Sequence, residues 1–113
     1  MNSVDRYFIL NKPYNMVSQF VSNHPVRLLG QIKFDFPEGT HAIGRLDNLS
    51  EGLLILTTDK RVTKFLYQGI KKHPRTYLVL VLKKVTPQTL EQVRNGVSFL
   101  IKGNEMYTTS PCE

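Results

Sequence analysis

Residues 41–59 read His-Ala-Ile-Gly-Arg-Leu-Asp-Asn-Leu-Ser-Glu-Gly-Leu-Leu-Ile-Leu-Thr-Thr-Asp. The stretch enters through a short apolar run, passes Gly44, Arg45, Leu46 and Asp47, and turns at residues 48–52, where Asn48, Ser50 and Gly52 are turn formers. It leaves through Leu53, Leu54, Ile55 and Leu56. That aliphatic run has the length and composition of a strand buried on both faces. One acidic side chain, Asp47, therefore sits on a loop whose downstream end is anchored in a core. A rigid scaffold behind a loop is the arrangement that holds a catalytic group in place. The ordinary alternative is a turn aspartate that caps backbone N–H groups.

Upstream, residues 6–10 are predicted as a strand, closed by Asn11-Lys12-Pro13, where proline withholds a ladder donor. Residues 16–21 alternate enough for a second strand. Leu28, Leu29 and Ile32 recur at helical spacing and predict a short helix over residues 26–32, and residues 40–43 lead into the central stretch as a short strand. Downstream, Asp59 is a good N-cap for a helix whose Val62, Phe65 and Leu66 form an apolar stripe, stopped at Gly69. Residues 75–82 are the clearest strand by β-propensity. Thr86-Pro87 opens another helix, with Leu90 and Val93 facing inward and Gly96 at its end. Residues 97–101 and 105–108 form a final hairpin around Lys102-Gly103-Asn104. Strands and helices mix without βαβ alternation. The fold class is therefore α+β, with a mixed, mainly antiparallel sheet and two or three helices.

At 113 residues the chain has room for one domain with a modest core. A net charge of +6 and a pI near 9.6 indicate an anionic partner, nucleic acid foremost. No apolar run approaches the roughly 20 residues needed to span a bilayer, so no membrane partner is expected. The first residues lack the apolar core of a signal peptide. Cys112 stands alone one residue from the end, which fits a reducing cytoplasm and neither a nucleophile nor a ligand. His24, His41 and His73 are scattered without ligand spacing, and there is no glycine-rich phosphate loop. No metal and no cofactor are expected.

The segment from Gly44 to Asp59, Gly-Arg-Leu-Asp-x-x-Ser-Glu-Gly-Leu-Leu-Ile-Leu-Thr-x-Asp, resembles the central motif of RNA pseudouridine synthases, in the branch that modifies ribosomal RNA. Asn11-Lys12-Pro13-Tyr14-Asn15-Met16-Val17-Ser18 resembles that family's first motif, and Arg75-Thr76-Tyr77-Leu78-Val79 its basic-x-Tyr strand. The resemblance runs from about Tyr7 to about Val81. It implies isomerisation of a uridine in ribosomal RNA, with Asp47 as nucleophile. An aspartate carboxylate is ionised at neutral pH and attacks carbon without a separate base. Arg45, two residues earlier, faces the same way in an extended segment and is implied to contact RNA beside the extruded nucleotide. Tyr77 is implied to line the active site and stack on the target base, worth about 1–3 kcal/mol, and to assist proton removal at C5. Lys12, Lys71, Lys72 and Arg75 complete the expected RNA-binding set, the last three with His73 as a basic cluster that tracks phosphates. Each has an ordinary alternative: a surface arginine, a core tyrosine, solvated turn lysines.

Two departures from the family pattern are visible. No segment resembling ribosomal protein S4 precedes the first strand, and nothing after Tyr107 resembles the family's third motif, which supplies a basic partner for the aspartate. Residues 1–113 are accordingly expected to be the N-terminal portion of a catalytic domain, incomplete, inactive alone and prone to self-association through an unpaired strand edge. The competing readings are a non-catalytic RNA-binding module using the same basic face, and a protein-interaction domain whose motif is coincidental.

Overall fold

The aliphatic run after Asp47 becomes the middle strand of a three-stranded sheet. A computed structural model describes residues 4–69 and 71–113 and divides the chain into two compact units, 1–74 and 75–113. In the first unit, β1 (Tyr7–Lys12) and β2 (His41–Ile43) flank β3 (Gly52–Thr57) in the order β1-β3-β2. Both pairings are antiparallel. Tyr7 lies opposite Thr57 and Lys12 opposite Gly52, while His41 faces Thr57 and Ile43 faces Ile55.

β3 is central as expected but packed on one face rather than two. Leu54 and Leu56 are buried with Met16 and Leu29, and Phe8, Leu10, Phe20, Ile32, Phe36, Ala42 and Leu46 pack around them. Leu53, on the other face, is 66% exposed. Period-two alternation decides this, because the core lies on one side of the sheet only.

Two further expectations in this unit are corrected. Residues 16–21 form no ladder: Met16 N–H donates to the Asn48 carbonyl (3.1 Å), Val17 N–H to Arg27 (3.0 Å), and the Gln19 carbonyl accepts from Leu29 (2.9 Å). The segment is stitched to two loops instead of one neighbouring strand. The helix expected over residues 26–32 shrinks to a 3₁₀ turn, Leu29–Gln31. Gly30 sits in its middle, where glycine is a poor helix former, and Leu29 plugs into the core with no exposed surface.

α1 (Val62–Tyr67) begins beyond Asp59. The Asp59 carboxylate still organises the entry. Oδ1 accepts from Arg61 N–H (3.0 Å) and Nε (2.9 Å), and Oδ2 accepts from Arg61 Nη2 (3.0 Å) and the Tyr7 hydroxyl (2.6 Å). Thr57 Oγ1 accepts from Asp59 N–H (2.9 Å) and donates to the Arg6 carbonyl (2.7 Å). One buried carboxylate thus joins the start of β1, the end of β3 and the first turn of α1.

The second unit contains α2 (Pro87–Asn95) and the hairpin β4 (Ser98–Ile101) with β5 (Glu105–Thr108). Thr86 caps α2 as expected, its Oγ1 accepting from Thr89 N–H at 3.2 Å. Gly96 ends the helix at φ 106°, and a Cβ there would lie 2.5 Å from the Thr109 carbonyl oxygen, so the hairpin requires glycine. Leu90 and Val93, expected to face inward, are each 44% exposed. The strand expected over residues 75–82 carries no ladder among the described residues, and Leu78, Leu80 and Leu82 are fully exposed. Among the described residues β4 and β5 pair only with each other, and a run of strand-forming residues becomes a strand only where an edge pairs with it.

Hydrogen bonds from Arg61 and then from Tyr7 hold the Asp59 carboxyl well below the usual carboxylate range. A depressed folded-state pKa adds stability that is complete above the unfolded value of about 4 and is lost as pH falls below it. Asp59→Asn should therefore lower the thermal midpoint at pH 7, with the gap to the unaltered chain narrowing as pH falls below about 4 toward the depressed folded value. Thermal unfolding followed across that range is the check.

Candidate active site

Lys12, the last residue of β1, is fully buried. Its ammonium donates to the carbonyls of Pro13 (2.8 Å), Met16 (2.6 Å) and Asn48 (3.3 Å). An ammonium has three donors, and three carbonyls receive them. Burial pushes the Lys12 pKa down and Arg27 adds to that, while the carboxylates of Glu51 and Asp47 oppose it. This lysine is neither a solvated turn residue nor a side chain directed at solvent. It ties the turn after β1 to the turn after Asp47.

The Asp47 loop is held from the other side as well. Ser18 Oγ accepts from Leu46 N–H and donates to the Leu46 carbonyl, both at 3.0 Å. The Asn48 carbonyl takes Met16 N–H in addition to Lys12, and Asn48 Nδ2 donates to Asn15 Oδ1 (3.0 Å). Asn15 adopts φ 58°, a left-handed conformation that asparagine tolerates. Ser50 N–H closes the turn on the Asp47 carbonyl at 3.0 Å. The backbone on either side of Asp47 is therefore pinned, at Leu46 by Ser18 and at Asn48 by Lys12 and Met16.

The Asp47 side chain is exposed, and its carboxylate has no hydrogen bond or ion pair among the described residues. It does not cap a backbone N–H group. Arg45 is exposed two residues earlier on the same loop. Behind it, Gly44 has φ 72°, and a Cβ at that position would lie 2.5 Å from the Tyr67 hydroxyl. Glycine is needed there both for its conformation and for its size, and α1 approaches the loop through that gap.

The remaining expected residues fall elsewhere in the chain. Lys71 and Lys72 are exposed in the segment after α1, in the first unit; Arg75 and Tyr77 belong to the second, where Tyr77 is 60% exposed. Sequence reading missed Ser18, Asn48 and Tyr67. Ser18 and Asn48 both lay inside quoted stretches, but the alternating context of Ser18 suggested a strand residue and Asn48 was read as a turn former, neither as a clamp.

Comparison with known proteins gives a consistent result. A family model described as RNA pseudouridylate synthase matches residues 6–110. The chain is 41% identical over 92 residues to ribosomal large subunit pseudouridine synthase E of Xanthomonas axonopodis pv. citri, covering 80% of this chain and 47% of that protein. It is 38% identical over 93 residues to an uncharacterized RNA pseudouridine synthase of Aquifex aeolicus, covering 81% and 37%. It is 35% identical over 109 residues to ribosomal small subunit pseudouridine synthase A of Escherichia coli K12, covering 94% and 45%. The chain spans less than half the length of these relatives.

Replacing Lys12 with methionine keeps an unbranched side chain one atom shorter and removes all three donors. The orphaned carbonyls should cost about 1–3 kcal/mol of stability. Denaturant unfolding measures the loss, and backbone chemical shifts over residues 46–50 should move with it if Lys12 holds the loop.

Proposed function

The chain belongs to the RNA pseudouridylate synthase family, and from that premise we propose that it serves the isomerisation of a uridine in ribosomal RNA to pseudouridine, with Asp47 as nucleophile. The observation that carries this reading is the Asp47 carboxylate itself. It is exposed and unpartnered among the described residues, on a loop clamped at the residues before and after it. A nucleophile needs an accessible oxygen and a fixed backbone, and both support this reading of Asp47.

In the proposed reaction the carboxylate attacks either the uracil ring or the ribose anomeric carbon of an extruded uridine. The C1′–N1 bond breaks, the base rotates, and a C1′–C5 bond forms as C5 loses a proton and N1 gains one. Atoms and electrons balance within the nucleotide, so the step requires no redox partner. Arg45 is proposed to meet the RNA beside the extruded nucleotide, and Lys71, Lys72 and Arg75 to contact phosphates, as the net charge of +6 supports. Tyr77 is proposed to stack on the base. Lys12 is assigned to the loop rather than to RNA, because carbonyls take its donors.

In any chain that carries these residues and forms pseudouridine, Asp47→Asn should reduce pseudouridine formation in ribosomal RNA on the order of 10³-fold or more while RNA affinity stays within about twofold. Mass spectrometry of digested RNA and filter binding give the two readouts. Product at the unaltered rate would remove Asp47 as the nucleophile, whereas RNA affinity with no product even from the unaltered protein would leave the RNA-binding module as the better reading.

The exposed Leu78, Leu80 and Leu82 also support self-association of this chain by strand pairing. Light scattering should show an apparent mass that rises with concentration. A constant monomer mass would remove that part of the proposal.

A further inference from the structure

An open groove of about 390 Å³ lies beside the Asp47 loop, between the segment after the first turn and the start of β2, and its lining reaches Gly44 and Arg45. Phe20, Val21 and Ala42 give it an apolar floor. Two of its polar residues are occupied by the fold: the Ser18 hydroxyl brackets Leu46, and the Thr40 hydroxyl donates to the Pro37 carbonyl at 2.7 Å.

Three polar groups are left over. His41 Nδ1 lies 3.1 Å from the Gly39 carbonyl. A carbonyl only accepts, so Nδ1 carries the proton, and in the neutral ring Nε2 is an acceptor. The Gln19 amide, with a donor and an acceptor at one end, has no partner among the described residues, and neither has the exposed Arg45 guanidinium. No carboxylate lines the groove. Apolar surface for the face of a ring, paired donor and acceptor for its edge, and a cation at the rim form the set that recognises an unstacked nucleotide.

We propose that this groove is a subsite for the nucleotide next to the target uridine in the same RNA strand, with Gln19 and His41 reading its base and Arg45 meeting its phosphate. The proposal rests on the reading of Asp47 as the residue that acts on that uridine. Leu46, held by Ser18, separates Arg45 from Asp47, so a strand that places one nucleotide at the carboxylate brings its neighbour to the groove. The reacting uridine is specified by the chemistry at Asp47, whereas the sequence around it is specified here.

The test is chemical-shift mapping on the isotopically labelled chain, titrated separately with the four nucleoside 5′-monophosphates and with inorganic phosphate. The expected result is saturable movement of the Gln19 side-chain amide and His41 ring signals, ranked by base, with His24 as an unmoved internal control. Inorganic phosphate should move Arg45 but not Gln19. Gln19→Ala and His41→Ala should each weaken the preferred nucleotide by about fivefold, one hydrogen bond's worth. Equal shifts from inorganic phosphate, or no shift at Gln19 and His41 from any nucleotide, would overturn the subsite. Neither result touches Asp47, whose role stands or falls separately on product formation by Asp47→Asn.

Discussion

One ammonium group joins the parts of the first unit that chemistry depends on. A charge removed from water is costly unless its hydrogen bonds are replaced. Lys12 satisfies that demand with the carbonyls of Pro13, Met16 and Asn48. Those carbonyls come from the turn after β1, from the irregular segment that follows it, and from the turn after Asp47. The charge therefore acts as a convergence requirement, since the chain cannot satisfy it unless three separate pieces of backbone meet. An apolar side chain of the same length would fill the space and impose no such condition. Ser18 adds a second fixed point on Leu46, and the position of Asp47 follows from the two.

Much of the frame was legible in the sequence because it is written in local pattern. β1, β2, β3 and the β4–β5 hairpin follow from short apolar runs bounded by Pro, Gly and Asn, and α2 from Thr86 and Pro87. The failures have identifiable causes. Residues 16–21 alternate like a strand, yet their hydrogen bonds go to two different loops, which periodicity cannot reveal. Residues 26–32 carry helical spacing broken by Gly30. Residues 75–82 have the composition of a strand but pair with no edge among the described residues, because β-propensity describes fitness for a pleated surface rather than pairing with one.

The site divides in the same way. Asp47 and Arg45 were legible because a dense motif surrounds them. Lys12 was quoted for a different purpose, since lysine is among the residues least often buried and its partners here are carbonyls, which leave no trace in side-chain identity. Asn48 is hidden for the same reason: its contribution to the clamp on Asp47 is mostly its backbone oxygen. Tyr67 acts by leaving room for nothing larger than glycine at position 44, a relation between two distant positions that no single-sequence pattern expresses.

The order of strands in the sheet also sets the timing of assembly. β1 and β2 leave the ribosome before β3, yet neither pairs with the other; each pairs only with β3. The nascent chain must therefore carry two unmatched strands and most of its core residues until Thr57 has emerged. The β2–β3 connection, residues 44–51, is short, whereas the loop from β1 to β3 is long and can close only after β3 is available. Whatever protects the emerging polypeptide has to do so up to the residue where the sheet gains its centre.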